Sequence, residues 1–290
     1  MKEFEEFCKY QRSLSENTVR GYRWDLKQFS EWVKDREIEI TLVKIRDVDS
    51  FLISLRKEGR SAKTINRKIY CLRAFYRWLQ RIEIINRSPV EFLTNIREPK
   101  RLPKYLSCGK QEALLKASNY GAHHHPNKWG SWLKDRDNLM ILLLLDTGLR
   151  ISELCAIRKS DIDLEQGTLR VFGKGQKERQ VILSDRCISA IRECLKNGNG
   201  SDDIVFFNQQ KRHLNTRHAW RIVQEIGERA GIENLHPHLL RSTYATNLRR
   251  RGADLQIIQQ ALGHASIVTT TLYSHIEDQD YRKKLKELIN

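Results

Sequence analysis

Six side chains in the second half of the chain carry groups that phosphoryl transfer could use: Arg150, Lys174, His238, Arg241, His264 and Tyr273. Arg150 follows Leu145-Asp-Thr-Gly-Leu149, at the end of an apolar stretch, and Lys174 lies in the glycine-flanked run Gly173-Lys-Gly-Gln-Lys177. His238 and Arg241 are three residues apart in His236-Pro-His-Leu-Leu-Arg241, so on a helix they share a face. His264 follows Leu262-Gly263, a helix stop signal, and Tyr273 stands nine residues later, after Val268-Thr-Thr-Thr-Leu272. Taken singly, each has an ordinary reading: a lone arginine is a surface charge, a lone histidine a satisfied polar group. Together they form a working set. Guanidinium groups grip non-bridging phosphate oxygens and offset charge in the transition state. A tyrosine can be the nucleophile, an imidazole can take its proton, and an ammonium can protonate the leaving oxygen.

These groups need elements to hold them. Leu139 to Leu145 is an uninterrupted apolar run and reads as a buried helix ahead of Arg150. Thr168–Phe172 and Arg179–Leu183 alternate as short strands, so the intervening glycine-flanked turn makes a β-hairpin with Lys174 at its tip. Helices are expected over about Asp185–Leu195, Thr216–Ala230, Leu239–Arg251, Asp254–Leu262 and Asp280–Ile289. The earlier part of the chain is helical and basic. Ser15 reads as an N-cap, followed by the apolar stripe Val19, Tyr22, Leu26, Phe29 and Val33. A second helix from about Ser61 places Ile65, Ile69, Leu72, Tyr76 and Leu79 on one side. Arg67, Tyr70, Arg73 and Arg77 fall roughly opposite, a basic face with one aromatic that is expected to bind a nucleic-acid phosphate backbone in preference to being a merely solvated face. Between the two halves, Glu98-Pro-Lys-Arg-Leu-Pro-Lys104 holds two prolines and three cations and cannot continue a helix. The expected organisation is a helical domain over 1–97, a linker over 98–106 and a second domain over 107–290.

Composition narrows the partners. At 290 residues, with 40% hydrophobic and 30% charged residues, the chain can build two cores and is not disordered in composition. Its formal charge of +16 points to a polyanion. A membrane is a poor candidate, since no stretch nears the roughly 20 apolar residues of a span. The N-terminus is acidic at Glu3, Glu5 and Glu6 and lacks a signal-peptide pattern, so a cytoplasmic, nucleoid-associated protein is expected. The six cysteines are scattered without a C-x-x-C pair and read as reduced small hydrophobes. His123, His124 and His125 beside Pro126 read as a solvated loop, and no metal site is expected.

The runs Thr147-Gly-Leu-Arg-Ile-Ser-Glu-Leu154, His236-Pro-His-Leu-Leu-Arg241 and Leu262-Gly-His-Ala265 through Tyr273 resemble the tyrosine recombinase (phage integrase) family. Ser15-Glu-Asn-Thr-Val-Arg-Gly-Tyr22 is similar to that family's core-binding domain, and the length and two-domain plan look most like the Xer recombinases. The resemblance covers nearly the whole chain. It implies a mostly α fold: an N-terminal SAM-like helical core-binding domain and a C-terminal α+β catalytic domain with a small β-sheet. Tyr273 would attack the scissile phosphate, forming a 3′-phosphotyrosyl link and freeing a 5′-hydroxyl. Arg150 and Arg241 would clamp the phosphate, Lys174 would be general acid, His238 general base toward Tyr273, and His264 a hydrogen-bond partner of the phosphate. Glu153, one turn beyond Arg150, would orient that arginine. The cut bond's energy stays in the phosphotyrosine, so neither ATP nor another cofactor is expected, and the cationic side chains stand in for a divalent ion.

The resemblance also implies double-stranded DNA with a specific site, a homo-tetramer on paired sites and a Holliday junction, with a monomer or weak dimer expected away from DNA. The amphipathic tail around Leu285, Leu288 and Ile289 would dock on the adjacent protomer. Chromosome dimer resolution is the expected duty. The chain opens almost directly on its core-binding helices, which favours that duty over the alternative, an integrase or excisionase of a mobile element. A non-catalytic DNA-binding protein of the same fold is disfavoured because all six positions are filled. A topoisomerase of the same chemistry is disfavoured by the core-binding resemblance and the tail. Three departures stand out. Ser242 occupies the place where the family usually has a histidine, so altered packing is expected there. The 117–134 segment looks long and carries Trp129 and Trp132, an extra loop near DNA or a neighbouring subunit. Tyr244 matches the nucleophile by residue type alone and reads as a core aromatic.

Overall fold

The computed structural model describes residues 1–98, 103–120, 128–173, 178–197 and 203–263. The chain divides into two compact units, Met1–Lys100 and Arg101–Asn290.

The first unit is helical. Helix α1 (Lys2–Glu6) runs on as a wider turn over Phe7–Gln11 and is followed by α2 (Glu16–Lys34), α3 (Ile45–Lys57) and α4 (Ala62–Arg81). Ser15 and Ser61 cap α2 and α4, each accepting at 3.3 Å from the backbone N–H three residues on. The stripes Val19, Leu26, Phe29, Val33 and Ile65, Ile69, Leu72, Tyr76, Leu79 are buried, as their spacing demands. Aromatic side chains knit the core, with Phe29 on Phe51 at 5.0 Å and Phe4 edge-on to Phe75 at 5.3 Å. One charge pair lies inside. Lys68, on the apolar side of α4, donates to Asp25 on α2 at 2.7 Å and to Gln28 at 2.6 Å. Asp25 and Lys68 are both buried, and Arg67 pairs with the other Asp25 oxygen at 2.6 Å. Periodicity alone did not indicate α1 or α3. Each buries side chains, Phe4 in the first and Val48, Phe51, Leu52 and Leu55 in the second, only once the neighbouring helices are in place.

The second unit begins with α5 (Cys108–Tyr120) and α6 (Lys128–Thr147), then α7 (Ile151–Cys155) and a 3-10 turn over Lys159–Asp161. A three-stranded antiparallel sheet follows, in the order β1 (Ile162–Asp163), β2 (Thr168–Phe172), β3 (Glu178–Ile182). Helices α8 (Asp185–Asn197), α9 (Thr216–Arg229), α10 (Pro237–Arg250) and α11 (Leu255–Leu262) complete the described residues. Leu139 to Leu145 is buried at every position, so α6 is the central helix of this unit. Its end is pinned to α8: Asp146 accepts from Ser184 Oγ and Arg186 Nε, both at 2.6 Å. Strand β3 starts one residue earlier than its alternation suggests, at Glu178, because Glu178 pairs with Phe172. Helix α10 likewise starts earlier, at Pro237, with His236 as its cap.

The long-segment expectation requires correction. Residues 108–120 and 128–147 are helical, and Trp132 is buried against Phe207 with ring centroids 4.0 Å apart. Trp132 is a core residue and not part of a loop beside DNA. Residues 121–127, with His123 to His125, lie outside the described residues, as do the turn 174–177 and everything from 264 on. Among the described residues, no helix is long and apolar enough to cross a membrane and no cluster could hold a metal ion.

Candidate active site

The arginines predicted from sequence meet at one place. Helix α6 ends at Thr147, and Gly148 turns the chain with φ +61°, a left-handed conformation natural to glycine. An added Cβ there would sit 2.4 Å from Cδ1 of Tyr244, so the close approach of α10 also requires glycine. That approach gives Tyr244 its role: its ring is half-buried against Gly148 and packs with Ala245, Ile258 and Leu262. Burial raises its phenol pKa, the opposite of what an activated nucleophile needs.

Two residues past the turn, Arg150 caps α7. Glu153 reaches back to accept from Arg150 N at 2.9 Å, the second half of a capping box, and its Oε1 accepts from Arg150 Nη1 at 2.7 Å. Arg150 Nη2 donates to the Gly263 carbonyl at 3.4 Å. Arg241 comes from the middle of α10 and is 4% exposed. Its Nη1 donates to the Gly148 carbonyl and its Nη2 to the Leu262 carbonyl, both at 2.5 Å. The two guanidinium groups therefore meet at the end of α11, Arg150 on the Gly263 carbonyl and Arg241 on the adjacent Leu262 carbonyl, and Arg241 also reaches the turn after α6. The residue after that stop is His264.

His238 is exposed on the first turn of α10, three residues before Arg241, and its ring lies 6.4 Å from that of His236. His236 is not interchangeable with it. His236 Nδ1 accepts from Leu239 N at 3.1 Å as the helix cap, which holds that nitrogen unprotonated. Burial, helped by Lys104, lowers its pKa below the ordinary value of 6.5. Of the six candidates, Arg150 and Arg241 meet at the end of α11, and His238 lies three residues before Arg241 on α10. Lys174, His264 and Tyr273 lie outside the described residues. Ser242 is buried beside Arg241.

Sequence reasoning missed one member of the cluster. Arg179 on β3 donates to Glu153 through both Nη1 (2.9 Å) and Nη2 (2.8 Å). Burial pushes the Glu153 carboxyl up, but the bonds from Arg179 and Arg150 outweigh it and hold the group at about 2. A signal was present: in the alternation of β3, Arg179 shares the inward face with Val181, where an arginine is out of place unless paired.

The four basic-face candidates of α4 differ in their surroundings. Arg67 pairs with Asp25, and Arg73 donates to Asn95 Oδ1 at 2.9 Å and to the Leu93 carbonyl. Asn95 in turn donates to Tyr70 Oη at 2.5 Å. Tyr70 and Arg77 are exposed, and Arg12, Tyr70, Arg73, Arg77 and Arg81 line one cleft. Positive charge and an aromatic edge thus meet in this unit, with Arg67 and Arg73 also tying local structure together.

Comparison with known proteins fits this geometry. Residues 106–280 match the Phage integrase family, and residues 1–83 match its N-terminal SAM-like domain. The chain is 35% identical over 286 residues to tyrosine recombinase XerD of Oceanobacillus iheyensis, covering 95% of this chain and 93% of that protein. It is 32% identical to tyrosine recombinase XerD of Vibrio cholerae, over 100% and 94% of the two chains. Among solved structures, XerH bound to difH substrate in a pre-cleavage complex matches with a TM-score of 0.74 at 26% identity, over 98% of this chain and 83% of that one. The XerH post-cleavage complex matches in fold with a TM-score of 0.80 at 24% identity, over 100% and 85%. With both domain families matched along its length and XerD relatives spanning nearly all of it, this chain belongs to the phage integrase family as an Xer-type tyrosine recombinase, an enzyme of site-specific recombination.

Proposed function

We propose that this enzyme cuts and rejoins double-stranded DNA at a specific site through a 3′-phosphotyrosyl intermediate and a Holliday junction, and that it resolves chromosome dimers. The observation that carries the chemistry is the meeting of Arg150 and Arg241 on adjacent carbonyls, Gly263 and Leu262, at the end of α11. Two neighbouring fixed guanidinium groups suit a phosphodiester, whose two non-bridging oxygens gain charge as a fifth ligand approaches. In this reading Tyr273 gives its proton to His238 and attacks phosphorus. The 3′ phosphate passes to the tyrosine, and Lys174 protonates the departing 5′ oxygen. His264 donates to the phosphate. Rejoining is the same reaction with a 5′-hydroxyl as attacker, so the number of phosphoester bonds is constant and neither ATP nor a divalent ion is required.

DNA as the substrate is supported by the charge of +16, by the basic cleft of the first unit and by the substrate-bound XerH relatives. The proposal extends to a cytoplasmic, nucleoid-associated place and to a tetramer on paired sites, since strand exchange between two duplexes needs four cuts. The domain limits 1–97, 98–106 and 107–290 stand as part of the same reading.

The test is covalent capture. Fragmented genomic DNA of the host is incubated with the protein in EDTA without ATP, then denatured, and protein-linked fragments are sequenced. Recurring fragments that share one short site are the expected result. Adducts scattered without a shared site, or adducts that require a divalent ion, would overturn the reading.

A further inference from the structure

Glu153 presents a difficulty for the proposed chemistry. It fixes Arg150, yet a buried carboxylate 2.7 Å from that guanidinium also cancels the charge that the phosphate is meant to feel. The Glu153 side chain is 3% exposed, so water does little to screen it. Arg179 answers that difficulty. Its fork engages both Glu153 oxygens, and its side chain is 14% exposed. Its stem also runs close to Gly263: a Cβ there would lie 3.0 Å from Arg179 Cδ. Arg150 and Arg179 thus both touch Glu153 and Gly263, closing a ring that ties β3 to the start of α7 and the end of α11.

The ring has a charge count. One carboxylate shared by two guanidinium groups leaves a net charge of about +1, whereas Glu153 with Arg150 alone would be neutral. Arg179 is also an expensive residue to keep at this register position. Its Nε is buried and has no hydrogen-bond partner among the described residues, a cost that an apolar side chain beside Val181 would not carry.

We propose that Arg179 is a positioning and charge-balancing residue of the recombinase site: it takes up the Glu153 carboxylate so that Arg150 stays oriented while keeping its pull on the scissile phosphate. This rests on the role proposed above for Arg150 and adds to it a second cation that never touches DNA. It also ties β3, which begins four residues after Lys174 in the sequence, to Arg150 through Glu153.

Three full-length variants test the idea. Arg179→Met keeps the stem that packs on Gly263 and removes the charge. Arg179→Lys keeps a cation. Arg179→Met with Glu153→Gln removes both charges together. Single-turnover cleavage is measured at saturating protein on a nicked duplex carrying the captured site, beside DNA affinity and thermal unfolding. Arg179→Met should bind within about threefold of the unaltered protein and cleave at least about tenfold more slowly, as expected when transition-state charge is less well matched. Arg179→Lys should lie between the two. The double variant should cleave faster than Arg179→Met, because the unbalanced carboxylate is gone. A residue that only supports the fold would give a double variant as slow as the single one or slower, and that result overturns the proposal. So does an Arg179→Met variant that cleaves at the unaltered rate.

A reading without DNA keeps the two ideas separate. The Glu153 carboxyl, followed by carbon NMR, should stay charged across the folded pH range in the unaltered protein and titrate at higher pH in Arg179→Lys, which loses the fork. An unchanged titration contradicts the role of Arg179 whatever the DNA assays show. Absence of cleavage by the unaltered protein contradicts the proposed function instead.

Discussion

Arg241 sits in a protein interior and donates to two backbone carbonyls from different elements, Gly148 after α6 and Leu262 at the end of α11. Only a planar fork can reach both while holding one orientation, so lysine is not a conservative replacement. Arg241→Lys should cut the rate of covalent adduct formation by about 10²- to 10³-fold, the usual cost of a lost transition-state donor, with DNA affinity little changed. Adduct formation within a few-fold of the unaltered protein would remove Arg241 from the clamp. At this scale the sequence was informative where a residue type is rare in its setting. Arg150 at a helix start and Arg241 near His238 were legible because their contexts recur in one family. Glu153 was legible as a partner of Arg150 through its three-residue spacing. Arg179 was not, since its partner is 26 residues away and only the fold brings them together. The strand alternation marked it as misplaced without naming what it meets.

Among the elements, periodicity found the helices whose apolar stripes are self-evident and missed those whose burial depends on others. The stripes of α2 and α4 are both fully legible, but the charges hidden within them are not. Lys68 lies between Ile65 and Leu72 on the apolar side of α4, and Asp25 precedes Leu26 on α2, so each broke a pattern that the other completes. Removing Lys68 leaves buried Asp25 with Arg67 alone, a half-exposed cation on its other oxygen. Lys68→Met should therefore lower unfolding free energy by about 1–3 kcal/mol, short of the cost of a wholly unpaired buried charge, and Asp25→Leu combined with Lys68→Met should recover most of it. Denaturant unfolding of the three proteins decides this, and a double variant as unstable as the single one would contradict the pairing. Helix α10 offers a pH test. The His236 ring caps it in the neutral form and is harder to protonate folded than unfolded. Stability should therefore be complete above the ordinary histidine value of 6.5 and decline as pH falls through it, because the unfolded chain takes up the proton first. His236→Asn keeps a capping acceptor without the titration, so the variant should lose less stability than the unaltered protein between pH 7 and pH 5, by about 1 kcal/mol or less. Equal losses would show that another group governs this range.

At the scale of the whole molecule, net charge was the feature read most directly from composition. The two units each enclose a core, one centred on Phe4, Phe29, Phe51 and Tyr76 and the other on the Leu139–Leu145 helix. The +16 charge has a direct consequence for binding. Affinity for duplex DNA should fall steeply with salt, with each phosphate contact adding about 0.9 to the slope of log affinity against log salt. Exposed Arg77 should contribute such a contact, so Arg77→Ala should reduce the slope by about 1 without loss of stability. Arg73→Ala should also lower stability, since Arg73 holds Leu93 and Asn95. An Arg77→Ala protein with an unchanged slope would move the DNA face of this unit elsewhere.

In the proposed mechanism Tyr273 carries the broken strand, and the chemical identity of the adduct decides it. Protein trapped on a nicked duplex of the captured sequence is digested with protease and nuclease, and the peptide bearing the nucleotide is identified by mass spectrometry, with Tyr273→Phe alongside. A nucleotide on Tyr273, joined through a 3′ phosphate, is the expected result, with no adduct from Tyr273→Phe despite normal DNA binding. A nucleotide on Tyr244 or any other residue, or an adduct that survives in Tyr273→Phe, would contradict it.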